Sequence, residues 1–240
     1  MRLHVIGSSP AWPNAGGAHS GYVVEAEGRR LLLDCGPGVL ARLRERGPMH
    51  VDAIAVTHFH LDHWGDLVPW AWLAAHGRER PGRPELWLPP GGGEQLASFA
   101  RLWGNHAMFD VAFDLHEFEA GTPFAAAGFE VEARQVPHFT LEAFGFRVRD
   151  PEAGTLLAYS GDCAPGPELA ALAEGADLFL CEATLEASDS EGALRGHLAA
   201  SEALDAADGP VLLTHRPAEL PPPNGVPLAH DGLVVEIVSR

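Results

Sequence analysis

Cysteine, positive charge and long apolar runs are all scarce in this sequence, and each scarcity argues against a class of protein. Of 240 residues only three are cysteine, Cys35, Cys163 and Cys181. Their odd number and wide spacing argue against a disulfide framework. Sixteen Lys and Arg stand against 33 Asp and Glu, a formal net charge of −17. A chain so acidic repels an extended phosphate backbone unless a local basic patch overcomes the repulsion. The basic residues offer only short clusters, Arg29-Arg30, Arg42/Arg44/Arg46 and Arg78/Arg80/Arg83, interrupted by Glu or Pro. Long nucleic acid is therefore not the expected partner, and a small anionic substrate is. No stretch approaches the roughly 20 apolar residues of a membrane span, and Met1–Gly7 reads as a first strand with no signal-peptide core. A cytoplasmic protein that contacts no membrane is the expectation.

What is present describes an ordinary globular chain, 46% apolar and long enough for one large domain over residues 1–240. Strand-like segments recur at Leu3–Ile6, Gly21–Glu25, Arg30–Leu33, Val51–Val56, Glu85–Leu88, Phe129–Gln135, Ala143–Arg149, Thr155–Tyr159, Leu178–Cys181, Val211–Leu213 and Val234–Val238. Helix-like segments fall between them at Val39–Arg46, Leu67–His76, Glu94–Trp103, Pro167–Glu174 and Leu198–Ala207. Interleaved strands and helices with no boundary indicate a mixed α/β class. Gly91-Gly92-Gly93 resembles a strand-to-helix turn but lacks the Gly-Lys-Ser/Thr ending of a phosphate-binding loop. Pro221–Gly225 reads as a stiff loop before the last strand.

The chemistry concentrates in Thr57-His58-Phe59-His60-Leu61-Asp62-His63, three imidazoles and a carboxylate directly after an apolar strand. This donor set suits zinc, with iron and manganese as competitors. On an extended turn side chains alternate, so His58 and His60 can face one point while Asp62 and His63 serve a second. Two metals need more donors than these four, and His138, Asp162, His197 and His215 follow at strand ends or helix starts. Each alone reads as a satisfied polar group; together, after the dense run, they point to a metal centre.

The ordered set His58-His60-Asp62-His63, His138, Ser160-Gly161-Asp162 and His215, preceded by Leu31-Leu32-Leu33-Asp34-Cys35-Gly36, resembles the metallo-β-lactamase superfamily over nearly the whole chain. That resemblance implies a four-layer αββα sandwich with a two-metal site at one edge of the sheets. It further implies that His58, His60 and His138 hold one metal ion, that Asp62, His63 and His215 hold the other, that Asp162 bridges, and that Asp34 orients a ligand imidazole. Gly196-His197-Leu198-Ala199-Ala200-Ser201-Glu202-Ala203 and Leu180-Cys181-Glu182-Ala183-Thr184 are similar to segments of ribonuclease Z and its phosphodiesterase relatives. The tRNA-gripping arm of those enzymes would lie between His138 and Asp162, where this chain has only 23 residues, most of them used by two strands. The branch without the arm is the one resembled.

The resemblance implies a dinuclear hydrolase of small phosphodiesters, such as cyclic nucleotides or cyclic sugar phosphates, with a metal-bridging hydroxide as nucleophile. The catalytic set is then His197 as general acid, Glu182 orienting it, and Asp62; the cofactors are two divalent ions, zinc first and Mn²⁺ or Fe²⁺ as alternatives. A homodimer is the assembly suggested. A thioester or lactone hydrolase of the same fold, or a non-catalytic metal-binding accessory protein in cofactor biosynthesis, are the competing readings. For Trp64, Trp70 and Trp72 helix packing is the expectation; for His19-Ser20 a turn and a pocket border are equally open. A redox role for Cys163 has no support in the sequence. His4, His50, His76, His106, His116 and His230 fall outside any ligand pattern.

Overall fold

The computed structural model of the protein describes residues 1–45, 50–223 and 225–240. Strands β1 (Arg2–Gly7), β2 (Gly21–Ala26) and β3 (Arg29–Leu33) form an antiparallel meander, and the chain passes through α1 (Val39–Glu45) to β4 (Ala53–Ala55), parallel to β3. Two helices, α2 (Leu61–Trp64) and α3 (Leu67–His76), lead to β5 (Glu85–Leu88); α4 (Gly92–Leu102) and α5 (Met108–Ala112) lead to β6 (Asp114–Glu117). The second half runs through β7 (Phe124–Ala126), β8 (Phe129–Val136), β9 (Ala143–Arg149) and β10 (Leu156–Tyr159). It then crosses through α6 (Pro167–Ala173) to β11 (Leu178–Glu182) and through α7 (Ala200–Asp205) to β12 (Val211–Thr214). The last strand, β13 (Val234–Glu236), returns to pair with β1.

One sheet has the order β13-β1-β2-β3-β4-β5-β6 and the other β12-β11-β10-β9-β8-β7. Alternation along the strands divides the core. Leu31, Leu33, Ala53 and Ala55 of the first sheet meet Phe129, Val131, Phe144, Phe146 and Tyr159 of the second. Leu32, Ile54 and Val56 point the other way, onto Val39, Leu67, Trp70 and Leu96 of the helices. Ala158, Phe179 and Leu213 likewise cover α6 and α7. Strands buried on both faces read as the near-continuous apolar runs seen in the sequence. Each fully buried Leu or Phe contributes about 1.5–3 kcal/mol relative to exposure. The αββα sandwich implied by the resemblance is the observed architecture.

Two tight hairpins fix the registers. Glu27-Gly28 and Ala127-Gly128 are two-residue loops with positive φ at both positions, the backbone that matches strand twist. The most useful consequence for function is direction. Strands β8, β10, β11 and β12 run the same way, so their C-terminal ends open on the edge where β3 and β4 also end. Crevices outside the carboxyl ends of parallel strands are where α/β folds build sites.

Several local expectations differ from the structure. Elements β6, β7, α2 and α5 are too short or too polar to carry a periodic signal. Asp62 and His63 lie in the short helix α2 rather than on an extended turn, while His60 before it is extended at ψ 139°. The helix expected over Leu198–Ala207 starts at Ala200, which leaves His197 on the preceding loop. Arg46 at the end of one expected helix, and Asn224 in the proline loop, lie outside the described residues. Glu117 places its carboxylate on the amides of Gly91 and Gly93, at 3.0 and 2.9 Å, so the triglycine turn is filled by the chain itself. No helix among the described residues is long and apolar enough to cross a membrane.

Candidate metal centre and active site

Strand ends deliver the side chains. His58 follows β4, His138 follows β8, Asp162 follows β10, Glu182 closes β11 and His215 follows β12. The structure brings together one donor atom each from His58, His60, His138 and Asp162 within 4.8 Å of one another, and likewise from Asp62, His63, Asp162 and His215. These are the two sets that the resemblance implied. Asp162 belongs to both: Oδ2 lies 3.9 Å from His58 Nε2, while Oδ1 lies 3.3 Å from His63 Nε2 and 3.5 Å from His215 Nε2. Asp62 Oδ2 completes the second group at 3.1 Å from His215 Nε2 and 3.4 Å from His63 Nε2.

The hydrogen bonds behind these atoms fix which nitrogen faces the cluster. His63 Nδ1 sits 2.7 Å from Asp34 Oδ2, and His138 Nδ1 donates to the carbonyl of Gly196 at 2.6 Å. Both rings therefore turn Nε2 inward. Thr57 Oγ1 lies 3.0 Å from both Asp34 Oδ2 and His58 Nδ1. A hydroxyl has one proton, and donating it to the carboxylate obliges His58 Nδ1–H to donate to the hydroxyl, leaving the Nε2 lone pair free. Thr184 repeats the device: its Oγ1 donates to Glu182 Oε2 at 2.7 Å and lies 2.9 Å from His215 Nδ1. Tyr159 Oη and the amide of Thr57 also donate to Asp34, each at 2.8 Å.

This donor set fits divalent cations. His58 Nε2, His63 Nε2 and Asp162 Oδ1 are buried without a hydrogen-bond partner, which is costly for polar atoms unless something positive joins them; the 3.3 Å approach of His63 to Asp162 is not aligned as a hydrogen bond. Burial and the neighbouring His63 hold His58 well below the ordinary imidazole value, and burial lowers His60 and His138. Burial alone would raise Asp62 and Asp162, but His215 and His63 outweigh it and hold both carboxyls well below the usual range. For His63 the carboxylates of Asp162 and Asp34 overcome burial and hold it well above its ordinary value, so a cation there takes the place of a proton.

His197 stands beside the clusters. Its Nδ1 lies 3.0 Å from Glu182 Oε1 and 4.0 Å from Asp162 Oδ2. Burial would lower its pKa, but the hydrogen bond and charge of Glu182, with Asp162 and Glu191, push it up to about 9. Glu182 is fully buried and also accepts from the amides of Cys163 and Thr184, so its orientation leaves no freedom to that imidazole. The loop is held in turn by Glu191, which accepts from the amides of Gly196 and His197, and by Arg195, which pairs with Glu202 of α7 at 2.7 and 2.8 Å.

Backbone strain gathers here. Among the described residues, the non-glycine positions with positive φ outside the two hairpins are Asp34 at 58°, Phe139 at 49° and His215 at 51°, each costing of order 1–3 kcal/mol. Among the residues left open by the sequence, His19 is buried, with Nδ1 donating to the carbonyl of Pro10 at 2.8 Å and Asp62, His63 and His215 near enough to bias its charge. Trp64 and Trp70 are buried in helix packing while Trp72 is 45% exposed. The three cysteines are free, and burial raises their thiol pKa values, which makes them poor nucleophiles. His4, His50, His76, His106, His116 and His230 join none of the clusters found among the described residues. Thr57, Thr184, Tyr159 and Glu191 carry no signal in the sequence; the pairing of each Thr with an imidazole of the clusters is visible only in three dimensions.

Residues 29–210 match the model of the beta-lactamase superfamily domain, and the chain belongs to that superfamily. It is 32% identical over 224 residues to the uncharacterized protein Rv1339 of Mycobacterium tuberculosis, covering 90% of this chain and 81% of that protein. A ribonuclease Z of Methanothermobacter thermautotrophicus is 28% identical over 268 residues, covering 90% of this chain and 86% of the enzyme. The metallo-beta-lactamase fold protein YhfI of Bacillus subtilis superposes with a TM-score of 0.80 at 23% identity, over 98% of this chain and 99% of that one. The affinity with ribonuclease Z relatives that the His197 and Glu182 segments suggested is therefore borne out. Between His138 and Asp162 lie β9, a short turn and β10, as expected of a chain without the tRNA-binding arm.

Proposed function

We propose that the protein is a hydrolase of small anionic phosphodiesters that works with two divalent cations, zinc being the ion this donor set suits best. The observation that carries the reading is the sharing of Asp162 between two four-residue donor clusters with the His197–Glu182 pair directly alongside. His58, His60 and His138 would hold one cation, Asp62, His63 and His215 the other, and Asp162 both. Bound there, the pair would acidify a shared water and neutralise charge on the non-bridging phosphate oxygens.

The remaining work falls to side chains of this chain. Because Nδ1–H of His197 is committed to Glu182, the proton available to substrate sits on Nε2. Hydrolysis adds hydroxyl to phosphorus and breaks the bond to an alkoxide oxygen, which takes up that proton. A raised pKa keeps the imidazole protonated at neutral pH, and Glu182 stabilises the charge until transfer. Positioned proton donation of this kind is worth about 10²–10⁴-fold.

The test is turnover by a metal-loaded preparation on a paired panel. One half holds bis-p-nitrophenyl phosphate and 2′,3′- and 3′,5′-cyclic nucleotides; the other holds thioesters and lactones. Turnover of the diesters, falling about 10²–10⁴-fold in His197→Ala with bound metal unchanged, is the expected result. Activity confined to esters would favour a carboxyl-ester hydrolase. Loss of metal in His197→Ala would make that residue a ligand, a role its position within 4.8 Å of donor atoms from Glu182 and His215 permits.

A further inference from the structure

Nothing in the two donor clusters requires a phenyl ring at position 139. The backbone of Phe139 lies in the left-handed region at φ 49°, where glycine or asparagine is the ordinary occupant. The chain holds it there: its amide donates to the carbonyl of Arg195 at 3.0 Å, and the amide of Leu141 donates to the carbonyl of His138 at 3.0 Å. The ring rests on Gly196. A Cβ at that glycine would come within 2.1 Å of the ring's Cε2, so the ring can occupy its place only because residue 196 has no side chain. Its centroid lies 4.9 Å from that of His138 and 5.5 Å from that of His197, edge-on to the latter at 81°.

For all these contacts Phe139 remains 38% exposed, while His138 is fully buried and Asp162 is 2% exposed. An aromatic ring held on strained backbone, touching a donor of the first cluster and the proposed proton donor, and open to solvent elsewhere, offers a planar group a face to stack on. Arg195 and Arg216 turn their Nη atoms to acceptors of the protein itself, Arg195 to Glu202 and the carbonyl of His197, and Arg216 to the carbonyls of Ala183, Leu185 and Pro221.

We propose that Phe139 determines specificity by stacking on the base of a nucleoside cyclic phosphate whose diester lies at the two clusters, selecting base-bearing over base-free cyclic phosphates. This narrows the substrate class of the phosphodiesterase reading and rests on it. Stacking tolerates every base, because each has a π face.

The experiment compares zinc-loaded wild type, Phe139→Leu and Phe139→Trp. Substrates are adenosine 3′,5′-cyclic phosphate and the base-free glycerol 1,2-cyclic phosphate; in parallel, adenosine monophosphate and ribose 5-phosphate are titrated calorimetrically into the same proteins. For Phe139→Leu, KM for the nucleotide should rise roughly 5- to 100-fold, with kcat and the base-free diester changed less than about twofold, and Phe139→Trp should restore binding. Equal losses on both diesters would mean that the ring only supports His138 and His197, and no change on either would mean it is idle; both overturn the proposal. If wild type hydrolyses neither diester, calorimetry still decides: Phe139-dependent preference for adenosine monophosphate over ribose 5-phosphate keeps the platform while the phosphodiesterase reading fails. Absence of that preference removes the platform as well.

Discussion

Thr57 and Thr184 occupy equivalent positions in the two halves of the site, each a hydroxyl between a buried carboxylate and a ligand-facing imidazole. The one side runs Asp34–Thr57–His58 and the other Glu182–Thr184–His215. Glu182 serves His197 through its other oxygen, so Thr184 joins the proposed acid to the second cluster. Thr184→Val keeps the shape of the side chain and removes the hydroxyl. His215 Nδ1 and Glu182 Oε2 then each lose a partner, and outer-shell losses of this kind cost about 10–100-fold in metal affinity or activity. A zinc titration with steady-state kinetics checks it: Thr184→Val should fall into that range and Thr184→Ser should recover. A Val variant equal to wild type would show that backbone amides alone orient Glu182. At this scale the sequence was legible for the donors themselves, because His and Asp are rare enough to stand out when they cluster. The threonines were not, since a Thr beside a His is unremarkable in one dimension. Phe139 was hidden for the same reason.

The elements that carry the site were partly legible. Long strands such as β8 and β9 have clear alternation, and the apolar run Leu31–Leu33 marks a strand buried on both faces. The four-residue helix α2 has no period to read, so the sequence alone reads there as an extended turn. Its placement depends on Gly36, the residue after Cys35. A Cβ there would come within 1.9 Å of the Asp62 carbonyl oxygen and 2.7 Å of His19 Cβ. The first of these is backbone and cannot rotate away, so the segment that follows β3 approaches α2 only because position 36 is glycine. Gly36→Ala should push α2 and its Asp62 and His63 out of register with Asp162. The expected result is weaker binding of the second zinc equivalent and a lower melting temperature; unchanged zinc affinity would show that the loop absorbs the shift. For α7 the sequence pattern ran two residues too early, since Leu198 and Ala199 are buried like helix residues but Ala199 is extended at ψ 156°. The difference matters because His197 then lies on a loop fixed by Glu191 and Arg195.

Across the whole molecule, two sheets, the first closed by the returning last strand β13, bring the ends of β3, β4, β8, β10, β11 and β12 to one edge, and no single element contains the site. The layer order followed from the resemblance and from strand–helix alternation; the juxtaposition of β4 with β10 and β12 is a property of the packed sandwich. The charge of −17 takes on a local meaning there. Asp34, Asp62, Asp162 and Glu182 are all buried within the site, an arrangement that bound cations neutralise and that an unmetallated core tolerates poorly. Asp162 belongs to both donor clusters, and with a cation in each it would join them into one centre. Elemental analysis of zinc-loaded, desalted wild type and Asp162→Ala tests it directly. Two zinc equivalents per chain in wild type, falling to one or fewer in the variant with far-ultraviolet circular dichroism unchanged, is the predicted result. A single equivalent in wild type, or two in both proteins, would contradict it.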